Sequence, residues 1–441
     1  MMLEKIKQAL AQRADLAGWT VRHIFTRGAQ MYGVLRQTEA RRSVDGEIYR
    51  VSVLRNTKNA EGSAAVGSGE LTLLPGDDIA AGVEKAAVMS GLMANQVHGV
   101  AAPASVPDVP ILDPDLERNP AGAVGRLLER IQAAAALENG VQLTAAECLC
   151  EVETVHLVNS RGIDATQTGS RIDVELTLRS HRGDREAETF TETSRRRLSD
   201  IDVESAIAVR ARHTVDLLEA GAPPTWTGPV VVRWKGLESI MADTPIAAGV
   251  IQTLGSAGMK YAKISPWEIG KSVFRGEVKG DPLTVWANRA APYGLYANRF
   301  DDEGLPAKRL ELIHENKLAA FWASQRYAEY LSIAPTGAFG SLEIPPGRRP
   351  AAALLAEPHV EVIQFSWFNP EPFTGDFACE IRFGYLVENG QRKPFKGGQL
   401  IGNLLDAFAN VQWSSETGSF GNYVGPHTAR FNELKVAGAT S

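Results

Sequence analysis

Prolines divide this chain more sharply than any other feature of its sequence. Five of them fall between residues 99 and 120, and an adjacent pair, Pro223-Pro224, follows a long helical pattern. Proline fixes its own φ angle and lacks the N–H that a helix interior needs, so we predict an extended connector over 99–120 and a boundary at Pro224. A chain of 441 residues is also longer than a single hydrophobic core usually supports. We therefore predict an N-terminal domain over 1–98, a central domain over 121–224 and a C-terminal domain over 225–441.

The first two predicted domains mix helices and strands. Alternation of apolar and polar residues from Ile172 to Leu178 predicts a strand with one buried face. Asp45-Gly46 is a typical hairpin turn, and Asp78 is placed to cap a helix. Helices are predicted from the N-terminus to about Gly18, from Asp78 to about Ala94, over 121–137 and over 203–220, with further strands over 148–159 and 185–193.

The C-terminal domain is predicted to be rich in strands. Strands are expected at 230–232, 283–287, 310–313, 360–368 and 377–387, with helices over 237–254, 318–331 and 400–409. Pro245 should kink or divide the first of these helices. The fold class is therefore α+β, with N-terminal and central α+β parts followed by a β-rich, barrel- or sandwich-like C-terminal domain.

Charge and cysteine content restrict the possible partners. Lys and Arg total 46 against 52 Asp and Glu, and the net charge of −6 gives no general attraction to nucleic acid or anionic lipid. The basic run Arg195-Arg196-Arg197 lacks interleaved aromatics, which favours a solvated loop or a subunit contact. Cys148, Cys150 and Cys379 are too few for a disulfide framework. With neither a signal-peptide pattern nor a spanning apolar run, we expect a cytoplasmic protein with no membrane contact.

Two short segments could carry chemistry. His314-Glu315 is the chain's single His-Glu pair, but no second histidine follows at metal-ligand spacing, and Glu315 is expected to favour the start of the next helix. Asp301-Asp302-Glu303, followed by Gly304, is either a structural turn or a binding site for a divalent cation. Neither segment completes a catalytic set, and no metal site is predicted.

Four segments, in order along most of the chain, resemble the TldD/PmbA family, once called modulators of DNA gyrase. They are LVNSRGIDATQTGS (157–170), ARHTVDLLEAGAPPTWTGPVVV (211–232), RFDDEGLPAKRLELIHENKLAAFWASQRYAEYL (299–331) and FTGDFACEIRFGYLVENGQRKPFKGGQLIGNLLDAF (373–408).

The resemblance also implies which kind of member this is. The TldD kind carries an H-E-x-x-x-H helix and a C-terminal cysteine, which together bind zinc for peptide cleavage. The corresponding segments here, 234–254 and 418–438, hold no histidine and no cysteine, respectively. The chain therefore resembles the TldE/PmbA kind. By resemblance, it has no cofactor of its own, a TldD-like partner supplies the zinc, and the pair acts on unfolded or modified peptides.

Two alternatives stay open. The chain could be a self-sufficient hydrolase whose candidate catalytic residues are His314 and Glu315, with Asp301, Asp302 and Glu303 as binding residues. It could instead be a homodimeric interaction protein, as the older family name suggests. Detection of a TldD-like partner would favour the hypothesis of a heterodimer with that partner over both alternatives.

Overall fold

A computed structural model describes residues 2–135, 140–241 and 249–438. Its helices are α1 (Met2–Ala11), α2 (Ile79–Ser90), α3 (Pro114–Arg118), α4 (Pro120–Ala134), α5 (Val203–Leu218), α6 (Trp234–Met241), α7 (Val250–Leu254), α8 (Ala257–Tyr261), α9 (Gln325–Leu331), α10 (Ala351–Leu354) and α11 (Leu404–Ala409), with a 3₁₀ turn at Leu198–Asp200. Its strands are β1 (Leu16–Val34), β2 (Gln37–Lys58), β3 (Ala64–Leu73), β4 (Val141–Asn159), β5 (Asp164–Arg182), β6 (Arg185–Arg195), β7 (Trp226–Arg233), β8 (Val285–Asn288), β9 (Arg309–His314), β10 (Lys317–Leu318), β11 (Ser341–Glu343), β12 (His359–Phe365), β13 (Asp376–Glu388), β14 (Gln391–Phe395), β15 (Gln399–Asn403), β16 (Val411–Trp413), β17 (Thr417–Phe420), β18 (Tyr423–Pro426) and β19 (Thr428–Ala437).

The first six strands form one antiparallel sheet in the order β3-β2-β1-β4-β5-β6. Strand β1 pairs with β4 along almost its whole length, from Thr20 opposite Asn159 to Val34 opposite Ala145. The predicted N-terminal part (1–98) and central part (121–224) are therefore two halves of one sheet. Each half has its own apolar core, formed with α1 and α2 on one side and with α4 and α5 on the other.

The hairpin predicted at Asp45-Gly46 is wrong. Both residues lie inside β2, where Asp45 pairs with Arg27 and Gly46 with Thr26. The chain turns instead after Val34, and Leu35 adopts a positive φ of 55°. A local turn preference of two residues is outweighed by the ladder of backbone hydrogen bonds that continues on both sides of it.

The prediction of a wholly non-helical connector over 99–120 is wrong at its C-terminal end. Pro114 opens α3 and Pro120 opens α4, at first helical positions where a missing N–H leaves nothing unsatisfied. The side chains of Asp113 and Asn119 cap these two helices. The preceding extended part packs against the sheet, where the Ser170 N–H donates to the Ile111 carbonyl at 2.9 Å.

The C-terminal region contains a closed barrel, which confirms the predicted β-rich fold. Strands β12, β7, β19, β15 and β13 follow one another around the barrel, and β13 pairs back with β12 to close it. A second sheet, in the order β10-β9-β8-β11-β18-β17, packs against it. Both share one apolar core that includes Val230, Val232, Phe408 and Trp413.

Three predicted helices differ in the structure. Of the segment predicted as a helix over 318–331, only α9 is helical, and its first residue belongs to β10. The segment predicted as a helix over 400–409 is divided between β15, which ends at Asn403, and α11. Of the segment over 237–254, the described parts form α6 and α7, whereas the break expected at Pro245 lies outside the described residues. Among the described helices, none combines the length and the apolar character that a membrane span requires.

A small apolar cluster joins the first sheet to the C-terminal region. Leu157 and Ile163 from the sheet pack with Phe300 and Leu305, and Ala101 of the connector completes the cluster. Phe300 is only 1% exposed. This contact positions the loop around residue 301 over the sheet, beside a large cleft.

Candidate functional site

The structure places His314 and Glu315 in a tight hairpin turn between β9 and β10. Glu315 and Asn316 both have positive φ angles, 42° and 71°, as a two-residue type I′ turn requires. The imidazole of His314 is well exposed and lies 2.8 Å from the carboxylate of Glu311. Contrary to the prediction, Glu315 does not start a helix, and neither residue lines the cleft of about 620 Å³ beside residue 301.

The Asp301-Asp302-Glu303-Gly304 segment folds into a turn, and its first carboxylate is structural. Asp301 accepts hydrogen bonds from the N–H groups of Glu303 and Leu305, at 3.1 and 2.9 Å. Its second oxygen accepts from the N–H of Ala338 at 2.9 Å. Gly304 has a φ of +87°, which favours glycine at the end of the turn. Asp301 thus holds the loop, and both of its oxygens already accept hydrogen bonds from the backbone.

The other two acids of the turn have different surroundings. Asp302 forms an ion pair with Arg22 of β1, which ties the turn to the sheet. Glu303 accepts one hydrogen bond, from the N–H of Gln325 at 2.8 Å. Burial, together with a smaller effect of the nearby carboxylates of Asp301 and Asp302, raises the pKa of Glu303 to about 7. The three predicted binding residues therefore share a turn but not a role.

Asp302 and Glu303 form a partition between two clefts. The larger cleft, of about 620 Å³, lies between the first sheet and the C-terminal region. A smaller one of about 410 Å³ lies on the other side of the turn, next to Arg22 and His98. Besides the turn itself, the polar residues that line the larger cleft are Glu151, Glu153, Gln167, Ser170, Arg171, Arg196, Tyr296, Asn298 and Ser324. A volume of this size suits a small organic ligand or a few peptide residues.

Part of the lining of the larger cleft is acidic. Glu151 and Glu153 lie on the same face of β4, and neither carboxylate has a hydrogen bond or a close ion pair among the described residues. Partial enclosure raises the pKa of Glu153, and the carboxylates of Glu151 and Asp302 raise the pKa further. The positive charges of Arg50 and Arg22 offset part of this rise in the pKa of Glu153.

Arg196 also lines the cleft. Its guanidinium donates to three backbone carbonyls: Gly294 at 2.7 Å, Ser170 at 3.0 Å and Ala297 at 2.6 Å. No carboxylate lies within ion-pair distance of it in the part of the chain that the structure describes. Burial and the neighbouring charge of Arg171 lower the pKa of Arg196 to about 10. The side chain remains a cation at neutral pH, held on backbone carbonyls, and the charge of Glu153 offsets part of the fall in its pKa.

The backbone makes room for this arginine at Gly169. A Cβ atom placed there would lie 2.9 Å from a terminal nitrogen of Arg196. Gly169 pairs directly with Glu153 across β4 and β5. The guanidinium and the unpaired carboxylate therefore come from neighbouring positions on one face of the sheet.

The basic run is more than the solvated loop predicted from the sequence. Arg196 is largely enclosed by carbonyls, and Arg195 donates to the Ser419 carbonyl of β17 at 2.9 Å. The sequence signal that was missed is the alternation along β4, which places Glu147, Glu151 and Glu153 on the face opposite Cys148 and Cys150.

The described part of the segment 234–254 does not fit a zinc ion. At the start of α6, the ammonium of Lys235 lies 3.1 Å from Glu192 and 3.3 Å from Glu238, so a side-chain cation already neutralises these acids. His427 is the one imidazole nearby; its ring stacks on Trp234 at 4.2 Å, and its Nδ1 contacts the Thr428 hydroxyl. Within the described ranges, no group of three or more His, Cys, Asp or Glu side chains could hold a metal.

Comparisons with known proteins agree with the resemblance found in the sequence. Residues 239–438 match the family model of the PmbA/TldA metallopeptidase C-terminal domain. The structure matches TldE from Thermococcus kodakarensis with a TM-score of 0.81, at 17% identity and over 99% of both chains. It matches a candidate modulator of a DNA gyrase from Thermotoga maritima with a TM-score of 0.80, at 17% identity, over 99% of this chain and 100% of that chain.

A curated relative is more similar in sequence but covers less of the chain. An uncharacterised protein of Methanocaldococcus jannaschii is 22% identical over 310 residues, which span 68% of this chain and 71% of the relative. The solved structures, at such low identity, establish the shared fold, and the family model identifies the C-terminal domain. The resemblance to the TldD/PmbA family is thereby confirmed.

Proposed function

We propose that this chain is the TldE-like, non-catalytic subunit of a zinc peptidase. The proposal starts from the premise that the chain carries the full-length fold and the C-terminal domain of the TldD/PmbA family. In this proposal a TldD-like partner binds the zinc ion and cleaves unfolded or modified peptides in the cytoplasm. This chain completes the enclosure around the peptide and has no cofactor of its own. It makes no direct contact with nucleic acid or membrane.

The observation that carries the proposal is the side-chain set at α6. Where zinc ligands would be required, the chain presents Trp234, the ion-paired Lys235 and Glu238, and the stacked ring of His427. A lysine ammonium next to a candidate ligand disfavours a divalent cation, because like charges repel at short distance. The segments 234–254 and 418–438 also lack the family's histidines and cysteine altogether.

Strand addition is the proposed way in which this subunit would hold an extended peptide. In the second sheet of the C-terminal region, β17 is a terminal strand, and no further strand of the described residues pairs with it, although Arg195 donates to its Ser419 carbonyl. Trp234 lies next to it, with its ring 5.9 Å from that of Phe420, and is 46% exposed. An edge strand beside an exposed aromatic ring suits an extended peptide, since backbone hydrogen bonds supply affinity and side-chain contacts supply selectivity.

The direct test combines metal analysis with reconstitution. We expect the purified chain to contain no stoichiometric zinc and to cleave no unfolded peptide, and we expect cleavage to require a co-expressed family member that carries H-E-x-x-x-H. Stoichiometric zinc and peptidase activity in the isolated chain would contradict the proposal and would favour the self-sufficient hydrolase.

A pull-down from the same co-expression tests which partner this chain binds. A stable complex with the H-E-x-x-x-H protein is the expected outcome. A homodimer that neither binds this protein nor changes its activity would support the interaction-protein alternative instead. A Glu129→Gln variant, changed on the exposed face of α4, is the matched control for nonspecific effects.

A further inference from the structure

Helix α5 lies between the first sheet and the barrel. On one side it packs against β5 and β6, where the hydroxyl of Thr214 contacts that of Thr189. On the other side Leu217 packs against Phe383 and Tyr385, which lie on the outer face of the barrel strand β13. The helix is therefore one of the contacts that hold the first sheet against the barrel.

Two polar contacts also join α5 to the barrel. The hydroxyl of Tyr385 donates to the carboxylate of Asp216 at 2.5 Å. The guanidinium of Arg210, only 7% exposed, donates to the side-chain oxygen of Gln364 at 2.8 Å. Burial and the nearby charge of Arg382 lower the pKa of Arg210 to about 10, and no carboxylate of the described chain forms an ion pair with it. The interface thus already contains one buried cation without a counter-ion.

His213 faces the barrel from the same helix, one turn after Arg210. Its ring centroid lies 5.6 Å from that of Phe383, and its Nδ1 is buried with no hydrogen-bond partner within the ranges that the structure describes. A neutral imidazole can leave a lone pair at this nitrogen, whereas an imidazolium would bury an N–H that has no acceptor. Burial and the charge of Arg210 lower the pKa of His213 to about 4. The docked helix therefore requires the neutral ring.

The acids that face His213 already have partners. Asp216, on α5, accepts from the Tyr385 hydroxyl. Glu361, on β12, lies 3.0 Å from Arg233 of β7 and 2.6 Å from Arg392 of β14. The positive charge of Arg392 also acts on His213 and lowers its pKa further. A proton on His213 would therefore add a cation where the available carboxylates are already engaged.

A second neutral imidazole lies near the same ion pairs. His359, at the start of β12, is 1% exposed, with its Nδ1 2.7 Å from the carbonyl oxygen of Glu357. Its Nε2 is buried and has no partner in the part of the chain that the structure describes. Burial lowers the pKa of His359 as well. Two imidazoles that influence Glu361 and Arg392 thus each bury one unpartnered nitrogen.

We propose that the contact of α5 with the outer face of the barrel is an acid-sensitive latch, closed while His213 is neutral and opened when His213 takes up a proton. Release of α5 brings the imidazolium to water and separates it from the barrel cations. The closed latch is fully stabilised above the ordinary pKa of 6.5, and this stabilisation is lost as the pH falls from 6.5 toward about 4. An open latch would free the first sheet from the barrel at α5, and so would act on the cleft between them.

Hydrogen exchange of the full chain, followed by mass spectrometry at pH 7.5 and pH 5, tests the latch. After correction for the intrinsic exchange rates, we expect the opening of α5 to rise about twentyfold at pH 5, because the ring gains a proton when it is released. Helix α2, which packs on the far half of the first sheet, should change less than about threefold. No rise in α5, or an equal rise in α2, would overturn the proposal.

Variants assign the effect to one ring. His213→Leu keeps an apolar contact with Phe383 but cannot titrate, and should limit the rise in α5 opening to about threefold. His213→Gln, a polar side chain without a charge, should do the same and replaces the first variant if that does not fold. His181→Leu, at an exposed position of β5, is the control and should keep the full rise. An undiminished rise in the His213 variants would refute the latch. Because no peptide, metal or partner takes part, this result is independent of the zinc-peptidase proposal.

Discussion

At the scale of single residues, Glu303 is the clearest titrating group of the cleft. Its pKa is raised to about 7 because burial disfavours the charged carboxylate, and Asp301 and Asp302 add to this effect. The folded state therefore retains a proton that the unfolded chain loses near pH 4.5. The stabilising contribution is fully present below that pH and is lost as the pH rises through about 7.

A Glu303→Gln variant should remove this pH dependence. The amide oxygen can still accept from the Gln325 N–H, and no charge is buried. We expect the difference in the free energy of unfolding between the variant and the wild type to grow by about 2 kcal/mol, in favour of the variant, from pH 5 to pH 8. Denaturant unfolding at both pH values measures this gain, and Glu129→Gln should show none. An equal difference from the wild type at the two pH values would refute the assignment.

Gly169 offers a second prediction at this scale. A methyl group at this position would lie 2.9 Å from Arg196, whose guanidinium is fixed on three carbonyls and cannot simply rotate away. Gly169→Ala should therefore destabilise the protein by about 1–3 kcal/mol. The unfolding midpoint measures this change. Gly46→Ala is the control in the same sheet, since a Cβ there meets nothing within 4 Å; similar midpoints for the two variants would count against a close approach at Gly169.

At the scale of elements, the strands show how far local sequence patterns can be trusted. Alternation from Ile172 to Leu178 correctly predicted β5, and Asp78 caps α2 by accepting from the Ala81 N–H at 3.1 Å. Asp45-Gly46 failed as a turn because pairing with β1 continues through it. Interactions within one turn of helix are local, whereas strand registers depend on partners far away in the sequence.

Barrel closure supplies a prediction for the element scale. Glu361 of β12 is almost fully buried and bridges Arg233 of β7, at 3.0 Å, and Arg392 of β14, at 2.6 Å. Glu361→Ala should destabilise the protein by about 3 kcal/mol, because it leaves two arginines without their counter-ion. The double variant Glu361→Ala with Arg392→Ala should cost less than the sum of the two single changes.

Thermal unfolding of the two single variants and the double variant measures this coupling. The exposed Glu380→Ala on β13 is the control and should shift the midpoint little. Strict additivity of Glu361→Ala and Arg392→Ala would show that the bridge contributes nothing to the barrel.

At the scale of the whole molecule, the junction between the first sheet and the C-terminal region determines whether the cleft exists. Phe300→Ala removes a ring that is 1% exposed from the cluster with Leu157 and Ile163. We expect a loss of about 3–5 kcal/mol, together with faster proteolysis of the connector over 99–113. Phe25→Ala, at a ring 42% exposed on β1, is the control. Unaltered proteolysis in Phe300→Ala would show that the junction is held by other contacts.

The sequence by itself determined the α+β class, the Asp78 cap and the β-rich C-terminal region, and it shows that 234–254 hold no histidine and 418–438 no cysteine. These features depend on residue type, on local periodicity or on a motif, and each can be read without knowing the partners of a residue. The tertiary structure alone decided that two predicted domains share one sheet, because β1 pairs with β4 across the connector.

The cleft also required the tertiary structure. Glu153, Arg196 and Glu303 come from three distant parts of the chain, and each is unremarkable in its own segment. Only the pairing of β4 with β5 and the docking of the turn at residue 301 bring them to one cleft. Proximity and burial depend on distances between segments, and local sequence does not encode those distances.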